Sequence, residues 1–272
     1  MIETLGGQAN MNRTILTISA FDSSGATGVA CDLKTFQTFR VYGAAAVTAI
    51  MAQNSLAVQA LSAVSMEMVG QQIEAIASDM KVHGVKSGIL ATAANVQIVA
   101  SLIDAFHLKD GYVLDPVILA ATGEPMLDEE GLRAMKDKLL PLAFVATPNR
   151  HEAEALSGMA VTDIPSAKEA ARRIQQMGPR NVIVTGGALE GTRAIDVWYD
   201  GQGYHLFDAP RLASQNVLGI GHTFSASLCA LLAKGCLPAE AIDRSKKYIA
   251  KAVQHPFQIG KGKGPLNHTV PM

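Results

Sequence analysis

Apolar and polar positions alternate along most of the chain with two different periods, and this pattern predicts strands and helices in turn. Short apolar runs predict strands at 14–18, 44–50, 85–90, 112–115, 143–147 and 181–185. Apolar residues at helical spacing predict helices at 29–39, 67–79, 95–106, 129–140 and 167–177. Strands that alternate with helices indicate a mainly parallel central sheet with helices on both faces, which is a three-layer α/β fold.

The period changes in the last third of the chain. Two short strand-like runs at 194–199 and 204–207 flank a turn and predict a β-hairpin, which two helices at 223–233 and 239–253 follow. The chain shows no internal repeat and no linker long enough to divide it, so we predict one domain over residues 13–272. Residues 1–12 lack the apolar region of a signal peptide and are predicted to form a flexible tail.

Composition excludes several classes of protein. The chain has 272 residues, of which 49% are hydrophobic and 17% are charged, so it can bury a sizeable core. A formal charge of −1 without a long basic run argues against nucleic acid as a partner. No apolar run is long enough to span a membrane, and the three cysteines are too few for a disulfide framework. We therefore predict a soluble cytoplasmic protein with small-molecule partners.

Polar residues and glycines gather where the predicted strands end. Ligands of open α/β sheets bind beyond the carboxyl ends of the strands, so these positions predict a binding cleft. Loops favour the same residue types for turn geometry alone, and that interpretation stays open beside the first. The strand ends carry Asp22, Gln53, Gly88, Asp115, Asn149, Gly186 and Gly187.

The stretch QNVLGIGHTFSASLCALLA, which begins at Gln215, offers the strongest local signal. Gly219 and Gly221 lie one residue apart and precede an apolar helical run. Glycines let a ligand approach the backbone, and a helix N-terminus attracts anions, so the pair predicts a phosphate cradle. His222, at the start of the helix, is a candidate general base. The alternative is an ordinary loop before a buried helix, with a histidine that only caps or packs.

Two further motifs also allow two interpretations. Asn149 and Glu152 could form a capping box at a helix start, or could meet phosphate oxygens through a hydrated Mg²⁺. The segment SSGATG, followed by Asp32, lies between a strand and a helix. It suits a polar ligand, but it also fits a capped turn with Asp32 in the first helical turn, where a carboxylate is favourable.

Several stretches, taken in order, carry a family resemblance. They are LTISAFDSSGATGVACDLKTF, AVTAIMAQNS, VKSGIL, VLDPVILAATGEPML, ATPNRHEAEAL, VIVTGG and APRLASQNVLGIGHTFSASLCALLAKG, and the tail GKGKGPLNH also fits. In order and spacing the chain resembles the hydroxymethylpyrimidine/phosphomethylpyrimidine kinases of thiamine biosynthesis, within the ribokinase-like superfamily. The resemblance implies transfer of the ATP γ-phosphate to 4-amino-5-hydroxymethyl-2-methylpyrimidine and then to its monophosphate. It also implies Mg²⁺ as a cofactor and a homodimer.

The resemblance also assigns roles to residues of this chain. On the substrate side it implies contacts to the pyrimidine from Ala20, Asp32, Gln53, Ile89 and Val117, with Gln53 on the aminopyrimidine edge. On the phosphate side it implies a catalytic anion-hole loop at Gly219, Gly221, His222 and Thr223. It places Thr185, Gly186 and Gly187 beside ATP, and Asn149 and Glu152 near magnesium through water.

This chain departs from the family pattern at two kinds of position. His222 replaces the cysteine that corresponds to the superfamily's catalytic aspartate. Thr185 replaces the lysine that usually precedes Gly-Gly, and a lysine often found after Asp-Pro-Val is absent. A histidine can still accept a proton. Two other functions therefore stay open, a kinase for pyridoxal-type vitamers and a pyrimidine-binding or regulatory protein with weakened catalysis.

Overall fold

The computed structural model describes residues 13–189 and 191–272, so the predicted tail at 1–12 lies outside the described residues. The strands are β1 (Thr14–Asp22), β2 (Tyr42–Gln53), β3 (Val58–Ala63), β4 (Val82–Ser87), β5 (Tyr112–Leu114), β6 (Val145–Ala146), β7 (Asn181–Val184), β8 (Arg193–Tyr199) and β9 (Tyr204–Pro210). The α-helices are α1 (Gly28–Thr38), α2 (Met66–Ala77), α3 (Ala93–Ala105), α4 (Glu129–Ala134), α5 (Arg150–Ser157), α6 (Ile164–Gln175), α7 (Ile220–Ala233) and α8 (Pro238–Gln254).

The strands form one sheet in the order β3-β2-β1-β4-β5-β6-β7-β8-β9. The pairs from β2 to β7 are parallel, while β3, β8 and β9 pair antiparallel with their neighbours. The predicted mainly parallel sheet and the hairpin of β8 and β9 are confirmed. The single domain over 13–272 stays a prediction, which this continuous sheet supports.

Successive residues of β1 face opposite sides of the sheet, and this alternation builds two cores. Leu16 packs into a core that β1 shares with α2, α3, α5 and α6. Its neighbour Ile15 packs into a second core with α1, α7 and α8, where Phe39 meets Tyr248 edge to face. Both β1 residues are fully buried. The sheet therefore lies between two helical layers, as the sequence predicts.

β2, β3, α4 and α7 differ from the prediction. β2 runs past the predicted 44–50 because its end pairs antiparallel with β3, an edge strand that the sequence pattern missed. Most side chains of β3 are exposed, so the strand has no apolar alternation to reveal it. The helix predicted at 129–140 is α4 continued by a wider turn over Met135–Leu139. α7 begins three residues earlier than predicted, which places Gly221 and His222 in its first turn.

No helix within 13–189 and 191–272 has the length and apolar character needed to cross a membrane.

Candidate functional site

A cleft of about 570 Å³ lies at the carboxyl ends of the parallel strands. It opens beside β1. The chain continues from β1 to β2 on one side of the sheet and later returns to add β4 on the other side, so the order of strands reverses its direction at β1. Such a reversal of direction is where α/β sheets leave a crevice for ligands. The cleft brings together nine of the predicted site residues: Gln53, Ile89, Val117, Asn149, Glu152, Thr185, Gly219, Gly221 and His222.

One end of the cleft has an apolar wall. Ile89 and Val117 belong to a small buried cluster that also contains Met51 and Met126, and all four border the cleft. Side chains of this kind suit the flat face of an apolar or aromatic ring. Ala20 belongs to the same cluster, but it is fully buried behind the wall and does not line the cleft.

Gln53 supplies a polar group beside this apolar wall. Its side chain is 8% exposed, and its Nε2 donates to the Asp22 carboxylate at 3.4 Å. Asp22 is itself buried and accepts hydrogen bonds from the backbone of Ala26 and Thr27 and from the hydroxyl of Ser24. Asp22 accepts one of the two N–H groups of the amide, so the oxygen Oε1 and the second N–H of Gln53 remain for a ligand.

The glycine-rich loop forms the opposite end of the cleft. Gly219 precedes α7 with φ of 86°, and a Cβ on it would lie 2.2 Å from the carbonyl oxygen of Ala26. Only glycine fits this position without moving the backbone. A Cβ on Gly221 would meet no atom within 4 Å, so this residue faces open space. The first-turn N–H groups of α7 have no partner within the helix, and they make this end of the cleft attractive to an anion.

A cluster of buried charges lies directly under the loop. Lys86, at 0% exposure, contacts Asp32 with its Nζ at 3.0 and 3.1 Å from the two carboxylate oxygens. The same Nζ lies 3.5 Å from Oδ2 of Asp115 and 3.4 Å from Nδ1 of His222. Burial acts to lower the pKa of Lys86, but Asp32 and Asp115 outweigh it and leave the pKa raised. Lys86 is therefore a buried cation that is paired with the carboxylates of Asp32 and Asp115.

His222 joins this cluster to the cleft. Its side chain is 11% exposed, and its Nδ1 lies 3.5 Å from Oδ2 of Asp115. Burial and the charge of Lys86 lower the pKa of His222 from 6.5, although Asp115 and Asp32 act in the opposite direction. The ring is therefore neutral near pH 7 and can accept a proton.

Asn149 and Glu152 form the capping box that the sequence offered as one interpretation. Asn149 Oδ1 accepts from the backbone N–H of Glu152 at 3.1 Å, and Glu152 Oε2 accepts from that of Asn149 at 2.8 Å. Burial, and next the charge of Asp115, raise the pKa of Glu152 well above 4.5. Both residues line the cleft, so capping and a role toward a ligand are compatible.

The remaining predicted site residues lie outside the cleft. Asp32 is in the second turn of α1, fully buried, and also accepts from the hydroxyl of Thr17 at 2.6 Å. It therefore sits beneath the site rather than in solvent or against a ligand. Thr223 points away from the cleft to Nε2 of His268, 2.9 Å from its hydroxyl. Gly186 and Gly187 lie behind Thr185 and do not line the cleft.

Sequence reasoning missed Lys86 altogether. Its signal was present, because a lysine inside the apolar run VKSGIL is unusual for a buried strand. Its Nζ is fully enclosed by the protein, so it does not replace the family's absent lysines as a direct phosphate contact. Asp115 was noted only as a strand end, and its contact with His222 could not be inferred from spacing.

Comparison with known sequences gives one family. A family model described as phosphomethylpyrimidine kinase matches residues 22–267. The hydroxymethylpyrimidine/phosphomethylpyrimidine kinase of Haemophilus influenzae is 40% identical over 261 residues, which cover 94% of this chain and 96% of that protein. A thiamine biosynthesis bifunctional protein of Geobacter sulfurreducens is 37% identical over 255 residues, 94% of this chain, and the match covers 52% of that protein's length.

Comparison with solved structures gives the same fold. The pyridoxal kinase of Bacillus subtilis, solved as an ADP complex, has a TM-score of 0.87 at 35% identity, with 94% of this chain and 97% of that chain covered. The pyridoxal kinase of Staphylococcus aureus, solved with AMP-PCP and pyridoxal, has a TM-score of 0.87 at 32% identity, with coverage of 94% and 93%. These likenesses agree with the three-layer α/β architecture.

Proposed function

Because the chain belongs to the phosphomethylpyrimidine kinase family, we propose that it transfers the γ-phosphoryl group of ATP to 4-amino-5-hydroxymethyl-2-methylpyrimidine, and then phosphorylates the monophosphate, in thiamine biosynthesis. The cleft supports this proposal because it pairs an apolar wall for a flat ring with a helix N-terminus for phosphate.

The orientation of Gln53 is the observation that carries the choice of substrate. Asp22 fixes the amide of Gln53 through one N–H of Nε2, which leaves Oε1 as an acceptor and the second N–H as a donor toward a ring edge. A carbonyl oxygen accepts a hydrogen bond, and the exocyclic amino group of the aminopyrimidine can donate one. Ile89 and Val117 would pack on the ring beside this contact.

His222 is the proposed general base. It would take the proton from the substrate hydroxymethyl group while that oxygen bonds to the γ-phosphorus and the bond to the ADP oxygen breaks. The N–H groups at the start of α7 would stabilise negative charge on the transferred group, with Gly219 and Gly221 allowing its close approach. Thr223 supports this turn from behind through His268.

The nucleotide would extend past Thr185. The loop at 186–189 is held from below, since the N–H of Gly186 donates to Asp196 at 2.8 Å and Arg211 donates to the carbonyl of Gly187 at 2.6 Å. These bonds pre-organise Gly186 and Gly187 for an ATP-side role without placing their atoms in the cleft.

Magnesium is part of the proposal, and the residues fit it through water. Within the described residues no group of three or more histidine, cysteine or acidic side chains is placed to hold a metal ion directly. Glu152, Asn149 and Asp115 all border the cleft, so their oxygens lie around the space in which a hydrated cation would be held. Asn149 and Glu152 would hold hydrated Mg²⁺, which neutralises phosphate charge when it is bound.

A kinase for pyridoxal-type vitamers is the second candidate. The likeness to two pyridoxal kinases at 32–35% identity favours it. Pyridoxal lacks the exocyclic amino group from which Oε1 of Gln53 would accept in the aminopyrimidine, and this difference favours the aminopyrimidine. Turnover of Mg-ATP should be measured side by side with the aminopyrimidine, with pyridoxal and with no acceptor. We expect the aminopyrimidine to be preferred. ATP turnover at background in all three would point to a binding or regulatory protein instead.

Gln53→Ala should weaken binding of the aminopyrimidine far more than binding of ATP. Loss of one buried hydrogen bond costs about 1–3 kcal/mol, which corresponds to roughly 5- to 150-fold in affinity. Calorimetry with each ligand measures the difference. The matched control is Asn54→Ala, a loop-forming amide next to it that does not line the cleft. Equal losses for both ligands in Gln53→Ala would contradict a contact between Gln53 and the ring.

Gly221→Val should leave the fold intact and lower kcat by about 10²- to 10³-fold. The new side chain would enter open space on the cleft side and keep phosphate away from the N–H donors. Gly219→Val is the comparison, because its Cβ would collide with Ala26 and should lower the melting temperature as well. Thermal unfolding and turnover of both variants separate the two effects. A Gly221→Val enzyme at full rate would show that phosphate does not approach this turn.

The proposal also includes a homodimer and a cytoplasmic location. Phe21 and Ile50 are neighbours in register on β1 and β2, and both are exposed, at 42% and 52%. We propose a homodimer whose contact includes this exposed apolar pair near the carboxyl ends of β1 and β2. The three cysteines are free thiols, which suits the cytoplasmic location that we propose.

A further inference from the structure

We propose that Asp115 is a positioning residue that holds His222 in the tautomer with a proton on Nδ1, so that the lone pair of Nε2 faces the cleft. The catalytic consequence rests on the proposed kinase function. The tautomer itself is a property of the folded chain and can be measured without turnover.

The geometry at Nδ1 of His222 presents two opposite choices. Lys86 Nζ lies 3.4 Å away, within hydrogen-bond geometry, and can only donate, whereas Asp115 Oδ2 lies 3.5 Å away as an ion-pair contact and can only accept. If Lys86 donates to Nδ1, then Nε2 carries the proton and the ring cannot act as a base toward the cleft. If Nδ1 donates to Asp115, then Nε2 is free to accept a proton. Across the described residues, Nε2 makes no hydrogen bond with the protein.

The hydrogen-bond capacity of the cluster favours Asp115. Lys86 has three N–H donors, and two of them go to the carboxylate oxygens of Asp32, at 3.0 and 3.1 Å. The third has Asp115 at 3.5 Å and His222 at 3.4 Å within reach. An ammonium bonds more strongly to a carboxylate than to a neutral ring nitrogen, so we assign the third donor to Asp115. Nδ1 of His222 is then free to donate to the same carboxylate.

α7 fixes both members of this pair. His222 is in the first turn of the helix, and the hydroxyl of Ser225, one turn later, lies 2.9 Å from Oδ2 of Asp115. The same hydroxyl lies 3.0 Å from the carbonyl oxygen of Gly221. One helical turn therefore sets the position of the ring and of the carboxylate that orients it, and the distance between them is not left to a flexible loop.

The charges of the cluster also support a role for Asp115 beside His222. Lys86 carries one positive charge, while Asp32 and Asp115 carry two negative charges, so the buried group has a net charge of −1 when His222 is neutral. A proton on His222 makes the cluster neutral. The charges of Asp115 and Asp32 stabilise the imidazolium that forms when the substrate alcohol loses its proton, although burial and Lys86 outweigh them and leave the pKa of His222 lowered. Asp115 is the member of the cluster that touches both the ring and the cleft.

The first test is a double-mutant cycle. Asp115→Asn keeps the shape of the side chain but removes its charge, and its amide can donate to Nδ1 and reverse the tautomer. We expect kcat to fall by about 10²- to 10⁴-fold, the contribution of a general base. In the His222→Ala background the same change should lower kcat by less than about twofold, because there is no ring left to orient. Losses that multiply in the double variant would overturn the proposal.

The matched control is Asp196→Asn, another buried aspartate paired with a lysine, Lys246, at 2.7 Å. Its effect and that of His222→Ala should combine additively, since Asp196 has no contact with the ring. Thermal unfolding of each variant shows how far stability contributes. Coupling of Asp196 to His222 as strong as that of Asp115 would also contradict the proposal.

The second test reads the tautomer directly. In protein labelled with ¹⁵N-histidine, the protonated and unprotonated ring nitrogens of a neutral imidazole are clearly separated by NMR, and His222→Ala identifies the signal. We expect Nδ1–H in the native protein and a shift toward Nε2–H in Asp115→Asn. Nε2–H in the native protein would overturn the proposal even in an active kinase. If the native protein shows Nδ1–H but has no turnover, the positioning role of Asp115 is supported and only the proposed kinase function is contradicted.

Discussion

His222→Ala should lower kcat by about 10²- to 10⁴-fold while the KM values for both substrates stay nearly unchanged. A base acts on the proton only as the transition state forms, so its loss affects turnover more than binding. The ring lies at the cleft surface above Lys86 and Asp115, and its removal leaves the apolar wall and Gln53 in place. Steady-state kinetics with varied ATP and varied pyrimidine separate kcat from KM.

The pH dependence of kcat/KM tests the role of His222 as a base independently. Burial first, and then Lys86, lower the pKa of His222 from 6.5, against the opposing charges of Asp115, Asp32 and Asp22. The neutral base therefore persists below pH 6.5, and kcat/KM should fall only as the pH drops through the lowered pKa. His222→Ala should lose this acidic limb.

The same shift links pH to stability. Below about pH 6.5 the unfolded chain binds the histidine proton more readily than the folded chain does. The free energy of unfolding should therefore decrease as the pH falls through this range, and it should decrease less in His222→Ala. Urea unfolding at several pH values measures this contribution separately from catalysis.

His222→Cys restores the family's residue and completes the comparison. If the histidine is an effective base, His222→Cys should be no faster than the native chain. If His222→Cys turns over faster than the native chain, the histidine is a poorer catalytic group than the cysteine. A His222→Ala enzyme that keeps the full native rate would remove His222 from the mechanism.

The fold was largely predictable because its signals are local. Ile15 and Leu16 are neighbours on β1 and pack into two different cores. A short apolar run between two helical patterns predicts a strand that is buried on both faces in this way. The hairpin of β8 and β9 was visible from its turn for the same reason. β3 gave no comparable signal, since its register against β2 comes from pairing rather than from its own composition.

The candidate site was predictable only in part. The glycine loop and the capping box of Asn149 with Glu152 are short-range patterns. The charge cluster is not, because Lys86 lies 54 residues from Asp32 and 136 residues from His222 in the chain. Pairing of this kind depends on strand order. The family resemblance implied a substrate contact from Asp32, whereas the fold buries this residue beneath the cleft.

Lys86→Met should reduce the free energy of unfolding by about 3–5 kcal/mol, the largest stability loss that we expect from a single change. Methionine fills a similar volume, so packing changes little. The change instead leaves Asp32, at 0% exposure, and Asp115, at 4%, without their shared cation. The pKa of Lys86 is raised, so its stabilising contribution is fully present below the ordinary lysine value of 10.5 and is lost as the pH rises through the folded pKa. Urea denaturation near neutral pH therefore measures the whole effect.

Two further variants decide whether charge is the cause. Lys247→Met makes the same chemical change on α8, where the lysine is 75% exposed and lies 2.7 Å from Asp243, and it should cost under about 1 kcal/mol. Lys86→Met combined with Asp32→Asn removes both members of the buried pair and should be more stable than Lys86→Met alone, since the remaining amide costs less to bury than a carboxylate. If the double variant is no more stable than Lys86→Met, or if the two lysine variants lose equal stability, the buried ion pair does not hold this part of the site together.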